Sequence, residues 1–259
     1  IVKNLFPFTA FEIGKKFSST TALKNGLVPL VYSSTDPAET LSSYISIYLK
    51  EEVKQEGLVR NLESFSRFLE VMCFSHAEII NLSNVAREAS IKRSTVDGYL
   101  SILEDLLLGY RITSFKVKNR KQTVESEKFY YFDVGVFKSL CPQGILENPH
   151  QFKGQELEGL VAQHLRAWIS YRNKKESLFF WRTNADTEVD FVVYGPTILK
   201  AIEVKSTREI KPEHLRGLKS FGEDYPSAEL IFLYTGSEER KIQGIHCIPL
   251  DQFLLSLKV

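Results

Sequence analysis

The sequence predicts an α+β chain in which a winged helix-turn-helix precedes a second region of mixed helices and strands. Two patterns carry that reading. Between Leu62 and Leu107 apolar residues recur at helical spacing in three successive runs, and two strand-like runs, Tyr110–Val117 and Lys128–Asp133, follow them. Further on, the stretch FFWRTNADTEVDFVVYGPTILKAIEVKS, ending at Ser206, changes to two-residue alternation broken by Gly195-Pro196-Thr197, the mark of a hairpin.

Composition sets the bounds. The 259 residues are 43% hydrophobic and 25% charged, which suits a globular chain of two modest domains. A net charge of +1 gives no overall pull toward nucleic acid or membrane, so anion contacts have to come from local patches. Cys73, Cys141 and Cys247 are odd in number and form no C-x-x-C pair, which fits a reducing, cytoplasmic setting and argues against zinc. No apolar run reaches the roughly 20 residues of a membrane span, and no signal peptide is present. A start at Ile1 rather than Met leads us to expect a fragment.

Residues 1–60 open with NLFPFTAFEIGKKF, read as an extended entry broken at Pro7 and then a short helix. After Gly26–Pro29 and Asp36-Pro37 comes AETLSSYISIYLKEEV, with Leu41, Tyr44, Ile45, Tyr48 and Leu49 on one helical face. The GKK at Gly14–Lys16 is not a phosphate loop: the upstream glycine is missing and Phe17 stands where Ser or Thr is needed, so ATP binding by this chain alone is excluded.

In the helix-turn-helix, Leu62, Phe65, Phe68, Leu69 and Met72 mark the first helix, Leu82–Ala89 the second and Ser94–Leu107 the third, with Ser83 and Ser94 as caps. DNA readout would place Lys92, Arg93, Ser94, Thr95 and Tyr99 in a groove while the wing touches phosphate. Five basic residues in the wing, Arg111, Lys116, Lys118, Arg120 and Lys121, support this. Against it, the third helix carries Glu104-Asp105, and winged helices also serve as packing modules.

The remainder reads as helix, three strands, helix, strand and a short closing helix from Asp251. In GQELEGLVAQHLRAWISY, Leu157, Leu160, Val161, His164 and Trp168 face the core, and Glu158 falls in line with Ala162, Leu165 and Ile169, where an acid wants a partner. That partner is either a cation shared with the hairpin or a local ion pair. If the hairpin is symmetric about the Pro196-Thr197 bond, Asp190 stands opposite Glu203 and Glu188 opposite Lys205 on one face. Val189, Phe191, Val193, Ile202 and Val204 then form the core face.

Two facing carboxylates, Cβ atoms roughly 5 Å apart, destabilise a sheet unless something compensates them. A hard ion, Mg2+ or Mn2+, suits an all-oxygen pair, and Lys205 beside it would stabilise negative charge in phosphodiester cleavage. The alternative is a salt-bridge ladder in which Lys205 neutralises Glu188; spacing does not separate the two. His76, His150, His164, His214 and His246 are scattered and read as packing or surface residues, and no G-x-S-x-G nucleophile motif occurs.

The order of Glu158 on a helix, Asp190 on the second strand and Glu203-Val204-Lys205 on the third resembles the PD-(D/E)XK nuclease-like fold, αβββαβ. More closely, GQELEGLVAQHL, FFWRTNADTEVDFVV, IEVKS and EKFYYFDVGVF resemble the uncharacterised C-terminal domain that follows the ATPase module in a prokaryotic AAA+ ATPase family. FPFTAFEI, GLVPLV and YISIYLKEEV are similar to the tail of that ATPase module and its junction.

The resemblance implies an ATPase tail and junction over 1–60, a winged helix-turn-helix over 61–150 and a nuclease-like domain over 151–259. It also implies a nucleotide-binding half before Ile1, through which alone ATP would be bound. Asp190, Glu203 and Glu158 would be metal ligands and Lys205 the catalytic lysine. Val189 stands where the naming proline of the fold would be.

Three functions follow as expectations. The first is the C-terminal region of an AAA+ type ATPase that binds DNA and cuts it with a metal. The second is a catalytically inactive scaffold coupling the ATPase to a protein partner. The third is a transcription factor reading DNA through the winged helix alone.

Overall fold

The computed structural model describes residues 4–49, 53, 59, 61–116, 126–142, 152–184 and 187–258. The helices, in chain order with the strands, begin with α1 (Ala10–Ile13), α2 (Ser19–Asn25), α3 (Pro29–Tyr32) and α4 (Pro37–Ser43), which runs into a π-helical stretch, Tyr44–Leu49. Next come α5 (Leu62–Met72), β1 (Glu78–Ile79), α6 (Leu82–Glu88), α7 (Arg93–Asp105), β2 (Gly109–Thr113), β3 (Glu127–Tyr131) and α8 (Val134–Leu140). The last are α9 (Lys153–Arg172), β4 (Ser177–Arg182), β5 (Glu188–Gly195), β6 (Ile198–Lys205), α10 (Arg216–Asp224), β7 (Glu229–Tyr234), β8 (Arg240–Ile242), β9 (Ile245–Pro249) and α11 (Leu250–Ser256).

Helices and two sheets make this a mixed α/β fold. The chain divides into two compact units. A sheet unit comprises residues 1–19, 112–127 and 160–259, and a helical unit comprises 20–111 and 128–159.

In the helical unit, α5, α6 and α7 bury one face each, through Phe65, Phe68, Leu69 and Met72, then Val85 and Ala86, then Val96, Tyr99, Leu100 and Leu103. Tyr99 lies edge-on to Phe65 and Phe68, with ring centroids 5.1 and 5.3 Å away. Asparagines rather than serines cap the first two helices. Asn61 and Asn81 accept from the amides of Ser64 and Asn84 at 3.0 and 3.1 Å, satisfying donors that the first helical turn leaves open. The expected caps Ser83 and Ser94 lie inside α6 and α7.

A three-stranded sheet in the order β1-β3-β2 follows, with Glu78 antiparallel to Phe129. Beyond it, the buried carboxylate of Asp133 accepts the amides of Leu27, Gly135 and Val136 at 2.7, 2.8 and 3.1 Å, capping α8 and tying it to the turn at Gly26. Glycine is required at 135, because a Cβ there would stand 2.6 Å from the Asn25 carbonyl oxygen. His76 stacks on Phe137 with centroids 4.0 Å apart, and its Nδ1 accepts the Tyr131 amide.

In the sheet unit six strands run in the order β4-β5-β6-β7-β9-β8. The pairs β4-β5 and β5-β6 are antiparallel, β6-β7 and β7-β9 parallel, and β8-β9 antiparallel. Four strands were expected; β8 and β9 are additional. Gln243 and Gly244 both have positive φ, 50° and 84°, the geometry of a two-residue turn whose twist matches a tight hairpin. Leu215, Leu218 and Phe221 pack on Val192, Ala201, Phe232 and Cys247, so the sheet is covered on this face, while Phe191, Val193 and Ile202 are also fully buried. His164 joins α1 to α9: its Nε2 accepts the Ala10 amide at 2.9 Å and its Nδ1 lies 2.7 Å from the Leu160 carbonyl. Among the described residues no helix is long and apolar enough to cross a membrane.

Candidate functional site

The β5-β6 hairpin positions the acidic pair. Its pairing runs from Gly195↔Ile198 to Phe191↔Ile202, the register that makes Asp190 and Glu203 the next facing residues. Both are buried, each 6% exposed. Past Phe191 the strand pair is bridged by a side chain, since Asp190 Oδ2 accepts the Val204 amide at 2.7 Å. The β4-β5 ladder shifts register between Phe179 and Trp181, and beyond the shift Glu188 pairs with Arg182. Irregularities of this kind re-aim side chains at the edge of a ladder.

Lys205 compensates Glu203 on the same strand. Its Nζ lies 2.6 Å from Glu203 Oε1 and its side chain is 42% exposed. The physical reason is proximity along one strand: residues two apart share a face, and Glu203 is the more buried acid. Glu203 shares its face of the strand with Ala201, whose side chain lies against α10 in the core, so the acidic face is not a solvent face.

Glu158 falls in the helical unit, where its partners come from β3. Tyr130 donates its hydroxyl to Glu158 Oε1 at 2.6 Å, and Lys128 Nζ lies 3.2 Å from the same oxygen. The signal for this pair is Lys128 itself, a lysine within the apolar run EKFYY with a side chain only 4% exposed, which demands a nearby acid. Among the described residues no three His, Cys, Asp or Glu side chains gather as a metal set.

The proposed DNA-reading residues divide. Lys92, Arg93 and Ser94 are exposed and Thr95 is half-buried at the start of α7, whereas Tyr99 is in the core and is unavailable for readout. Arg111 is bound bidentately by Glu104, at 2.8 and 2.6 Å, so one of the five wing cations is neutralised locally. Lys118, Arg120 and Lys121 lie outside the described residues.

These two units, one helical with a small sheet and one built on a six-stranded mixed sheet carrying buried acids, define a two-part α/β protein. The chain belongs to the family described as Domain of unknown function (DUF8612), whose model matches residues 5–147. A second model, Domain of unknown function (DUF4143), matches residues 153–253. Similar proteins are the uncharacterized proteins Rv2008c of Mycobacterium tuberculosis and Mb2031c of Mycobacterium bovis, each 25% identical over 253 residues. The match covers 95% of this chain and 56% of theirs, so the chain spans little more than half the length of these relatives.

Proposed function

We propose that this chain is the C-terminal region of an AAA+ type ATPase, binds nucleic acid, and carries a phosphodiester-cleaving site at Asp190, Glu203 and Lys205. The observation that carries the reading is the buried pair Asp190 and Glu203 on adjacent strands with an ammonium 2.6 Å from Glu203. The element order α9-β4-β5-β6-α10-β7 supports the PD-(D/E)XK-like scaffold, and α5-β1-α6-α7-β2-β3 supports a winged helix. The domain DUF4143 commonly lies C-terminal to AAA-type ATPase domains, which supports placing a nucleotide-binding half elsewhere in the intact protein.

The donor set fits a hard cation: two oxygen-only groups, with further positions left to water and phosphate oxygens as Mg2+ prefers. Asp190 and Glu203 would hold Mg2+ or Mn2+, which when bound polarises a phosphoryl oxygen and lowers the pKa of water. Lys205 stabilises the negative charge that develops on phosphate, and the burial around the acids strengthens that interaction.

The test is cleavage of labelled single-stranded and duplex DNA in Mn2+. The chain is expected to cut, and Asp190→Ala, Glu203→Ala and Lys205→Ala are each expected to lower the rate by at least about a hundredfold. Cleavage that survives unchanged in the first two variants contradicts the reading.

A second reading has its own observation. Val204 N–H and Lys205 already donate to the two acids, as in a scaffold that needs no metal. It predicts no cleavage and no salt-dependent DNA binding, with the chain serving to couple the ATPase to a protein partner.

A further inference from the structure

A cavity of about 720 Å3 in the sheet unit opens over the carboxyl ends of β6 and β7, where ligands of open α/β sheets gather. The loops after these two strands form its walls. They are joined by the Thr235 amide and hydroxyl, which both donate to the Thr207 carbonyl, at 2.9 and 2.8 Å. Its floor is Tyr234, which is buried, donates its hydroxyl to the Glu238 carbonyl and pairs in register with Lys205. Gly236 lets the chain close over that ring, because a Cβ there would collide with it. The cavity is therefore a built crevice beginning one strand away from the acid and lysine pair.

Its charged lining is two arginines, Arg208 and Arg240, and two acids, Glu209 and Glu238. Glu238 is taken up by Arg240, with Nη2 2.6 Å from its carboxylate. Arg208 is exposed and, among the described residues, makes no hydrogen bond or ion pair, so its five N–H donors face solvent at the cavity wall. Ser237 adds an exposed hydroxyl. In the run KSTREIK, Lys205 is taken up by Glu203, which leaves Arg208 as the cation of this loop at the cavity wall.

We infer that this crevice is a subsite for a backbone phosphate of the nucleic acid, gripped by Arg208 next to the group held at Lys205. The inference rests on the nucleic-acid reading above and assigns it a second phosphate contact outside the acid pair. Arg208 positions the strand; it takes no part in the chemistry.

The experiment is anisotropy of fluorescein-labelled single-stranded and duplex oligonucleotides over a KCl series, with the full chain and with Arg208→Ala and Arg208→Lys. Arg208→Ala is expected to weaken Kd by about fivefold and to lower the slope of log K against log salt by about one. Arg208→Lys is expected to keep the slope, and both variants to retain wild-type Mn2+ binding and thermal unfolding. An unchanged Kd and slope in Arg208→Ala overturns the subsite while nucleic-acid binding stands. Oligonucleotide binding absent from the wild-type chain overturns both.

Discussion

Glu158→Ala is expected to destabilise the helical unit by about 3–5 kcal/mol, the cost of leaving one member of a buried ion pair without its partner. Lys128 has a side chain 4% exposed and holds its ammonium 3.2 Å from Glu158. Removing the carboxylate also takes the acceptor from the Tyr130 hydroxyl, 2.6 Å away. Urea unfolding measures the loss. The pair Lys128→Met with Glu158→Met is expected to recover most of it, because burying two apolar side chains of similar length replaces a pair whose desolvation is costly. An unchanged midpoint in Glu158→Ala would leave the ion pair without structural weight.

Acid is expected to weaken both units well above the range of ordinary carboxylates. Burial pushes His76 down to about 3 and His164 down to about 4, against an unfolded value near 6.5. Both rings are thus neutral in the folded chain, and the unfolded chain binds the extra protons. Stability is fully present above about pH 6.5 and is lost as pH falls toward the two depressed values, at about 2 kcal/mol per histidine by pH 5. His76 lies in the helical unit and His164 in the sheet unit, where protonation would oppose its acceptance of the Ala10 amide. Thermal unfolding between pH 7 and pH 5 reads the effect, and a midpoint that stays constant over that interval rules it out.

How far the sequence is legible varies from element to element. The hairpin register is readable because a period of two, centred on Pro196-Thr197, leaves one arrangement with Phe191 and Ile202 paired inside. The contact from Val204 N–H to Asp190 is not readable, because it depends on where the ladder gives way beside the irregularity in β4 and β5. Past the irregularity Glu188 is in register with Arg182 on β4, and Lys205 lies beside Glu203 on its own strand.

Glu158 shows on the helical wheel as an acid in need of a partner, but the partner is Lys128, thirty residues earlier on a strand. Periodicity within a helix contains no such information. Tyr99 is the opposite case: its spacing from Val96 and Leu103 already places it on the apolar face of α7, where it packs on Phe65 and Phe68. The β8-β9 hairpin carried its signal in Gln243-Gly244, a two-residue turn between short alternating runs. Arg208 carried little, since a lone exposed arginine acquires meaning only when the loops after β6 and β7 are brought together.

The most direct test of the acid pair is isothermal titration of Mn2+, the tighter-binding stand-in for Mg2+, into the chain and into Asp190→Ala. The account predicts saturable binding that is lost in Asp190→Ala and is strengthened in Lys205→Ala, where the ammonium no longer competes with the cation for Glu203. Absence of binding to the folded wild-type chain, with or without added DNA, would contradict it.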